Sequence, residues 1–166
     1  MAFMKKILGI DADSKKIALV CLRENGDRDS HMSLISDKKA DNVQRLVDLI
    51  SLFEKWVEII KPDKVYIEES IFIQNYLTSR SISEVIGNIK LVLAKAKIDF
   101  KMVPVTTWKK NAVGKGNASK EEVKQFIVKK YPDFGEESQD ICDATAIALF
   151  GVKEESKDKL MDNTNG

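Results

Sequence analysis

The chain has 166 residues with a formal net charge of +1, 43% hydrophobic and 32% charged. That balance fits one water-soluble domain with a sizeable core and excludes both a disordered chain and a strongly basic binding module. No apolar run is long enough to span a bilayer, and the short start "MAFMKKILGIDA" holds an aspartate, so no signal peptide is expected and a cytoplasmic protein is.

Residues 5–12, "KKILGIDA", read as a buried strand, and 16–23, "KIALVCLR", as a second. Asn25-Gly26 is a strong hairpin signal and predicts a third strand over 29–36. Residues 41–60 place Val43, Leu46, Val47, Ile50, Phe53, Trp56, Val57 and Ile60 at helical spacing, and Pro62 stops the helix. "KVYIEES" (64–70) is a short strand that ends in acids. A long helix follows over 76–97, with Leu77, Ile82, Val85, Ile86, Ile89, Val92 and Leu93 as its apolar stripe. Residues 99–105 give a fifth strand, Thr106-Thr107 a cap for a short helix from Trp108, and 119–131 a further helix capped by Asn117 or Ser119. A turn at 131–137 precedes a last helix opened by Ser138. Residues 153–166 are polar and read as a disordered tail, leaving 1–152 as the domain. The order β-β-β-α-β-α-β-α-α-α predicts an α/β fold: a mixed five-stranded sheet, its first three strands antiparallel, with helices on both faces.

The acids are the informative residues. Asp11 ends the first strand and Glu68-Glu69 the fourth; ligands of open α/β sheets bind outside such carboxyl ends. Asp140 and Asp143 are three apart and share a helix face, while Ile141, Ala144, Ile147 and Ala148 point inward. Singly, each has an ordinary explanation: a turn start, a solvated strand end, a helix cap. Together, four clustered carboxylates repel unless cations join them, and hard oxygen ligands suit Mg²⁺ or Mn²⁺. Such a two-metal site hydrolyses phosphodiesters. Cys21 and Cys142 lack zinc-ligand spacing and read as reduced core residues, and the single histidine, His31, gives no triad.

Between residues 106 and 131 lie Lys109, Lys110, Lys115, Lys120, Lys124, Lys129 and Lys130 against Glu121 and Glu122. A solvated helix face is the ordinary reading of such a run. A phosphate-binding face is the other, with Gly114 and Gly116 allowing close backbone approach.

These segments resemble the RuvC-like Holliday junction resolvases, nucleases of ribonuclease H-like fold, over residues 5 to 151. "ILGIDAD" is similar to the family's first-strand motif with its aspartate at Asp11, and "YIEES" to the segment whose glutamate falls on Glu68. "VTTWKKNAVGKGNASKEEV" is similar to the basic segment, with Gly114, Gly116, Ala118 and Lys120 in its G-x-G-x-A-x-K pattern. "QDICDATAIALFG" resembles the closing motif, with acids at Asp140 and Asp143. The resemblance implies a metal-dependent endonuclease that nicks four-way junctions and other branched DNA symmetrically, leaving 5′-phosphate and 3′-hydroxyl ends. It implies two Mg²⁺ or Mn²⁺ ions held by the four acids, Lys109 and Lys120 near the scissile phosphate, and a homodimer. Lys110 and Lys115 are further DNA-binding candidates. The chain departs from the family pattern at Ala12-Asp13, where the family has Pro-Gly, and Asp13 reads as a turn residue. It departs again at Ile71, where the family has a stacking aromatic and where Phe72 is the candidate substitute. An RNA-processing nuclease of the same fold and a non-cutting junction-binding module are the alternative readings.

Overall fold

In the computed structural model, which describes residues 3–69 and 75–166, β1 (Lys6–Ala12), β2 (Lys16–Arg23) and β3 (Arg28–Ile35) form the antiparallel part of the sheet. The loop between β2 and β3 spans Glu24, Asn25, Gly26 and Asp27, closed by Gly26 N donating to the Arg23 carbonyl at 2.8 Å. Gly26 has φ +91°, a left-handed conformation that costs glycine nothing. Helix α1 (Asn42–Ile60) then crosses to β4 (Lys64–Glu69), which lies parallel to β1. Helix α2 (Tyr76–Lys95) crosses to β5 (Asp99–Pro104), parallel to β4. The spatial order is β3-β2-β1-β4-β5. Three helices complete the chain: α3 (Val105–Val113), α4 (Lys120–Lys130) and α5 (Gln139–Thr164), the last preceded by a single 3₁₀ turn at Pro132–Phe134.

Strand alternation sorts the core into two halves. Leu8, Ile10, Ile17, Leu19, Val65 and Ile67 face one side, where α1 and α2 cover them with Leu49, Phe53, Trp56, Val85, Ile89 and Leu93. Ile7, Ala18, Val20 and Tyr66 face the other side, packed by α3, α4 and α5. Asp11 and Glu68 fall on this second face by the same alternation, at the carboxyl ends of adjacent parallel strands.

Helix α5 lies against β1 at unusually short range because the contact residues are small. A Cβ on Gly9 would stand 2.3 Å from the Ala144 carbonyl oxygen, and one on Gly151 would stand 2.4 Å from the Tyr66 ring. Gly9 thus lets the helix that carries two of the acids settle on the strand that carries a third.

The structure differs from the sequence reading in three places. Helix α3 begins at Val105, with Pro104 before it and no side-chain cap, so Thr106 and Thr107 lie inside the first turn. The fixed φ of proline starts the helix in their stead. Val43, Val47 and Leu77, counted in the apolar stripes, are 73%, 52% and 68% exposed, since each lies in the first turns of its helix, off the covered surface. Residues 153–164 continue α5 rather than trailing as a polar tail. A buried helix propagates cheaply into a segment of good helix formers, and the Tyr66 hydroxyl holds the extension by donating to Glu155 Oε1 at 2.9 Å. Lys159 also pairs with Glu24. Of the two cap candidates for α4, the structure selects Ser119, in a full capping box with Glu122.

Candidate active site

Three elements converge on the carboxyl edge of the sheet. Strand β1 brings Asp11, β4 brings Glu68, and the first two turns of α5 bring Asp140 and Asp143. Ser138 caps α5, its hydroxyl accepting from Ile141 N, which fixes where the aspartates start. All four acids are partly buried.

Their electrostatics are coupled. Burial, then repulsion from Glu68, Asp143 and Asp140, holds the Asp11 carboxyl well above the ordinary carboxylate range. Asp11 and Glu68 are close enough that each acts on the other's proton affinity. Glu68 is raised as well, chiefly by burial; Asp11 and the nearby Lys109 moderate the effect. Asp143 is raised by burial and by Asp140, against the pull of Gln139, Lys109 and Lys120. The site stores unfavourable negative charge that protons relieve and cations would relieve better.

The basic residues divide in two. Lys109 on α3 and Lys120 at the start of α4 lie close enough to act on the acids. Lys109 Nζ stands 5.8 Å from the ring of the buried Trp108. Lys110 faces a surface notch with Thr106, Thr107, Asn111 and Gly116, and Lys115 pairs with Glu122 at 2.5 Å. Asp13 sits in the β1–β2 turn, where its N–H donates to the Lys16 carbonyl at 2.8 Å and its carboxylate accepts from Ser14 N. Phe72 and Ile71 lie outside the described residues.

Two residues escaped the sequence reading. Gln139 Nε2 donates to Asp143 Oδ1 at 2.9 Å and to the Lys120 carbonyl at 3.1 Å, tying α5 to α4. Its position four residues before Asp143 was a legible signal. Lys16, the first residue of β2, forms an ion pair with Asp140. Pairing of Asp11 with Ala18 across β1 and β2 puts Lys16 on the same sheet face, but only the packing of α5 brings Asp140 to it. Among the described residues, no group of three or more His, Cys, Asp or Glu side chains is gathered ready for a metal. The donor set nonetheless fits a hard divalent cation: carboxylate oxygens only, with three of the four held at raised proton affinity.

Comparison with known proteins identifies the family and the fold. The family model described as "Crossover junction endodeoxyribonuclease RuvC" matches residues 7–150. A protein of that name from Ruegeria pomeroyi is 27% identical over 146 residues, covering 87% of this chain and 88% of its own. One from Thermotoga petrophila is 29% identical over 153 residues, covering 86% and 89%. Among solved structures, Thermus thermophilus RuvC in complex with a Holliday junction superposes with a TM-score of 0.74 at 17% identity, covering 88% of this chain and 92% of that one. Fowlpox virus resolvase, solved with Holliday junction DNA, gives 0.58 at 16% identity, covering 90% and 97%. These structural likenesses establish the ribonuclease H-like fold.

Proposed function

This chain belongs to the RuvC family of crossover junction endodeoxyribonucleases, and from that premise we propose how its own residues divide the work of cutting a junction. The protein is a structure-selective endonuclease that resolves Holliday junctions by phosphodiester hydrolysis. Nucleases of this family depend on divalent metal ions.

The observation that carries the residue assignment is the coupling of Asp11, Glu68, Asp140 and Asp143 at one sheet edge. These four would hold two Mg²⁺ or Mn²⁺ ions. Ions bound there supply a nucleophilic water at neutral pH and offset charge on the phosphate and leaving oxygen. The protein's own groups prepare this. Asp11 and Glu68, at the ends of adjacent parallel strands, would both serve as ligands in their ionised forms. Gln139 holds Asp143 Oδ1 in place. Lys109 and Lys120 present positive charge beside the acids, where a phosphate approaching four carboxylates would otherwise be repelled. Lys110 and Lys115 lie farther along the same basic segment and are assigned to the DNA backbone. Phe72 is assigned to the junction as a stacking residue. The products carry 5′-phosphate and 3′-hydroxyl ends. Two symmetric nicks need two active sites, which a C₂ homodimer supplies.

Purified protein is incubated with a synthetic immobile four-way DNA junction and Mg²⁺ or Mn²⁺, beside linear duplex, an RNA substrate and an Asp11→Asn control. Paired nicks that require both metal and Asp11 are expected. Binding without cutting, or preferential cutting of RNA, would overturn the assignment.

A further inference from the structure

Lys16 stands opposite the active site with its charge already spent on one of the acids. Its backbone is fixed at the corner of the β1–β2 hairpin by the bond from Asp13 N to its carbonyl, 2.8 Å. Its side chain lies on the sheet face that α5 covers and pairs with Asp140 Oδ2 in the first turn of that helix. The two side chains are 30% and 38% exposed, so the pair is only partly screened by water. Asp143 has a different partner, accepting from Gln139 Nε2 at 2.9 Å. Asp140 is the one neutralised by a fixed cation.

We propose that Lys16 is a built-in competitor for the divalent ion: its ammonium occupies Asp140 in the metal-free protein and must release that carboxylate before Asp140 can serve as a ligand. The inference rests on the reading of Asp140 as a metal ligand. Its physical basis is the exchange of one cation for another. A carboxylate cannot be approached by an ammonium and a divalent ion at once without repulsion between them, so the free energy of the Lys16 pair is subtracted from the affinity of the ion. The same pair keeps the acidic site from repelling itself apart while no metal is bound. Lys16 is therefore a positioning residue, acting through Asp140.

The test is Mn²⁺ binding without DNA, read by the electron paramagnetic resonance signal of free Mn²⁺, for the wild type, Lys16→Met, Lys16→Arg and Asp140→Asn. Lys16→Met should bind Mn²⁺ roughly two- to fivefold more tightly, the effect expected of an ion pair about one-third exposed. Lys16→Arg, which keeps the charge, should behave as the wild type. In thermal melts Lys16→Met should unfold earlier than the wild type in EDTA, and the gap should close at saturating Mn²⁺. Unchanged or weaker Mn²⁺ binding by a folded Lys16→Met would overturn the proposal. Loss of junction binding in EDTA at unchanged Mn²⁺ affinity would overturn it too, and would make Lys16 a phosphate contact. Asp140→Asn distinguishes the two levels of the argument: if it leaves Mn²⁺ binding intact, the ligand assignment itself fails.

Discussion

Gly9 of β1 and Ala144 of α5 are in such close apposition that a Cβ at Gly9 would come within 2.3 Å of the Ala144 carbonyl oxygen and 2.6 Å of the Ala148 amide nitrogen. Both neighbours are backbone, so the helix itself must move to admit a side chain. Asp143 is the residue just before Ala144, which makes this contact the ruler that sets the distance from Asp11 to the α5 acids. Gly9→Ala should lower stability by about 1–3 kcal/mol, as overpacking does. It should reduce cleavage far more than that loss of folded protein explains. Thermal melts and single-turnover cleavage on the same preparation separate the two effects.

Asp143→Asn removes a ligand charge and keeps the shape. Cleavage of a four-way junction should fall by at least about 10²-fold, the scale seen when one electrostatic contributor to a transition state is lost. Binding to the junction in Ca²⁺ or EDTA should persist, because less negative charge then faces the phosphate. Gel-shift and cleavage assays in parallel decide this; full activity in Asp143→Asn would remove Asp143 from the site.

The metal-free site makes stability depend on pH in a definite direction. Asp11, Glu68 and Asp143 hold their protons more firmly folded than unfolded. The folded state therefore binds more protons, and the contribution of these groups is fully present below the ordinary carboxylate values of about 4 and lost as pH rises through the raised ones. In EDTA, Asp11→Asn should melt above the wild type at about pH 8, by roughly 2–4 °C per kcal/mol relieved. The difference should shrink toward about pH 4, and Mn²⁺ should stabilise the wild type more than the variant. A difference that is independent of pH would contradict the coupling.

Lys109 pulls down the proton affinity of both Glu68 and Asp143. Lys109→Ala should therefore leave divalent-ion binding unchanged or slightly tighter, since one positive charge fewer then faces the ion, while cleavage slows by roughly 10- to 100-fold for a lost charge contact in the transition state. If Lys109 also meets a phosphate, the slope of log affinity for the junction against log salt falls by about 1. Titrations at several salt concentrations report the two effects separately.

The C-terminal half of α5 is anchored by Tyr66 donating to Glu155. Tyr66→Phe leaves a carboxylate without its donor and should cost about 1–3 kcal/mol, with cleavage unchanged once the protein is folded. Hydrogen exchange should then rise in residues 153–164 first, since that segment has the fewest buried contacts.

Much of this protein is set by local pattern. The alternation of Ile7 to Asp11, the turn at Asn25-Gly26, the spacing from Asp140 to Asp143 and the lysines from 109 to 120 are all legible along the chain, because strand period, helix period and turn chemistry act over a few residues. The sheet order and the two-sided cover follow from that pattern through short connections and parallel crossovers. What the sequence left open was decided by contacts between distant residues. The helical continuation of α5 depends on Tyr66, 89 residues away from Glu155, and the choice of partner for Asp140 depends on how close α5 lies to β1 and β2. That distance is governed by Gly9 against Ala144 and Gly151 against Tyr66. Packing is non-local, so four acids, Lys16 and Gln139 become one electrostatic unit only when the helix is seated on the sheet.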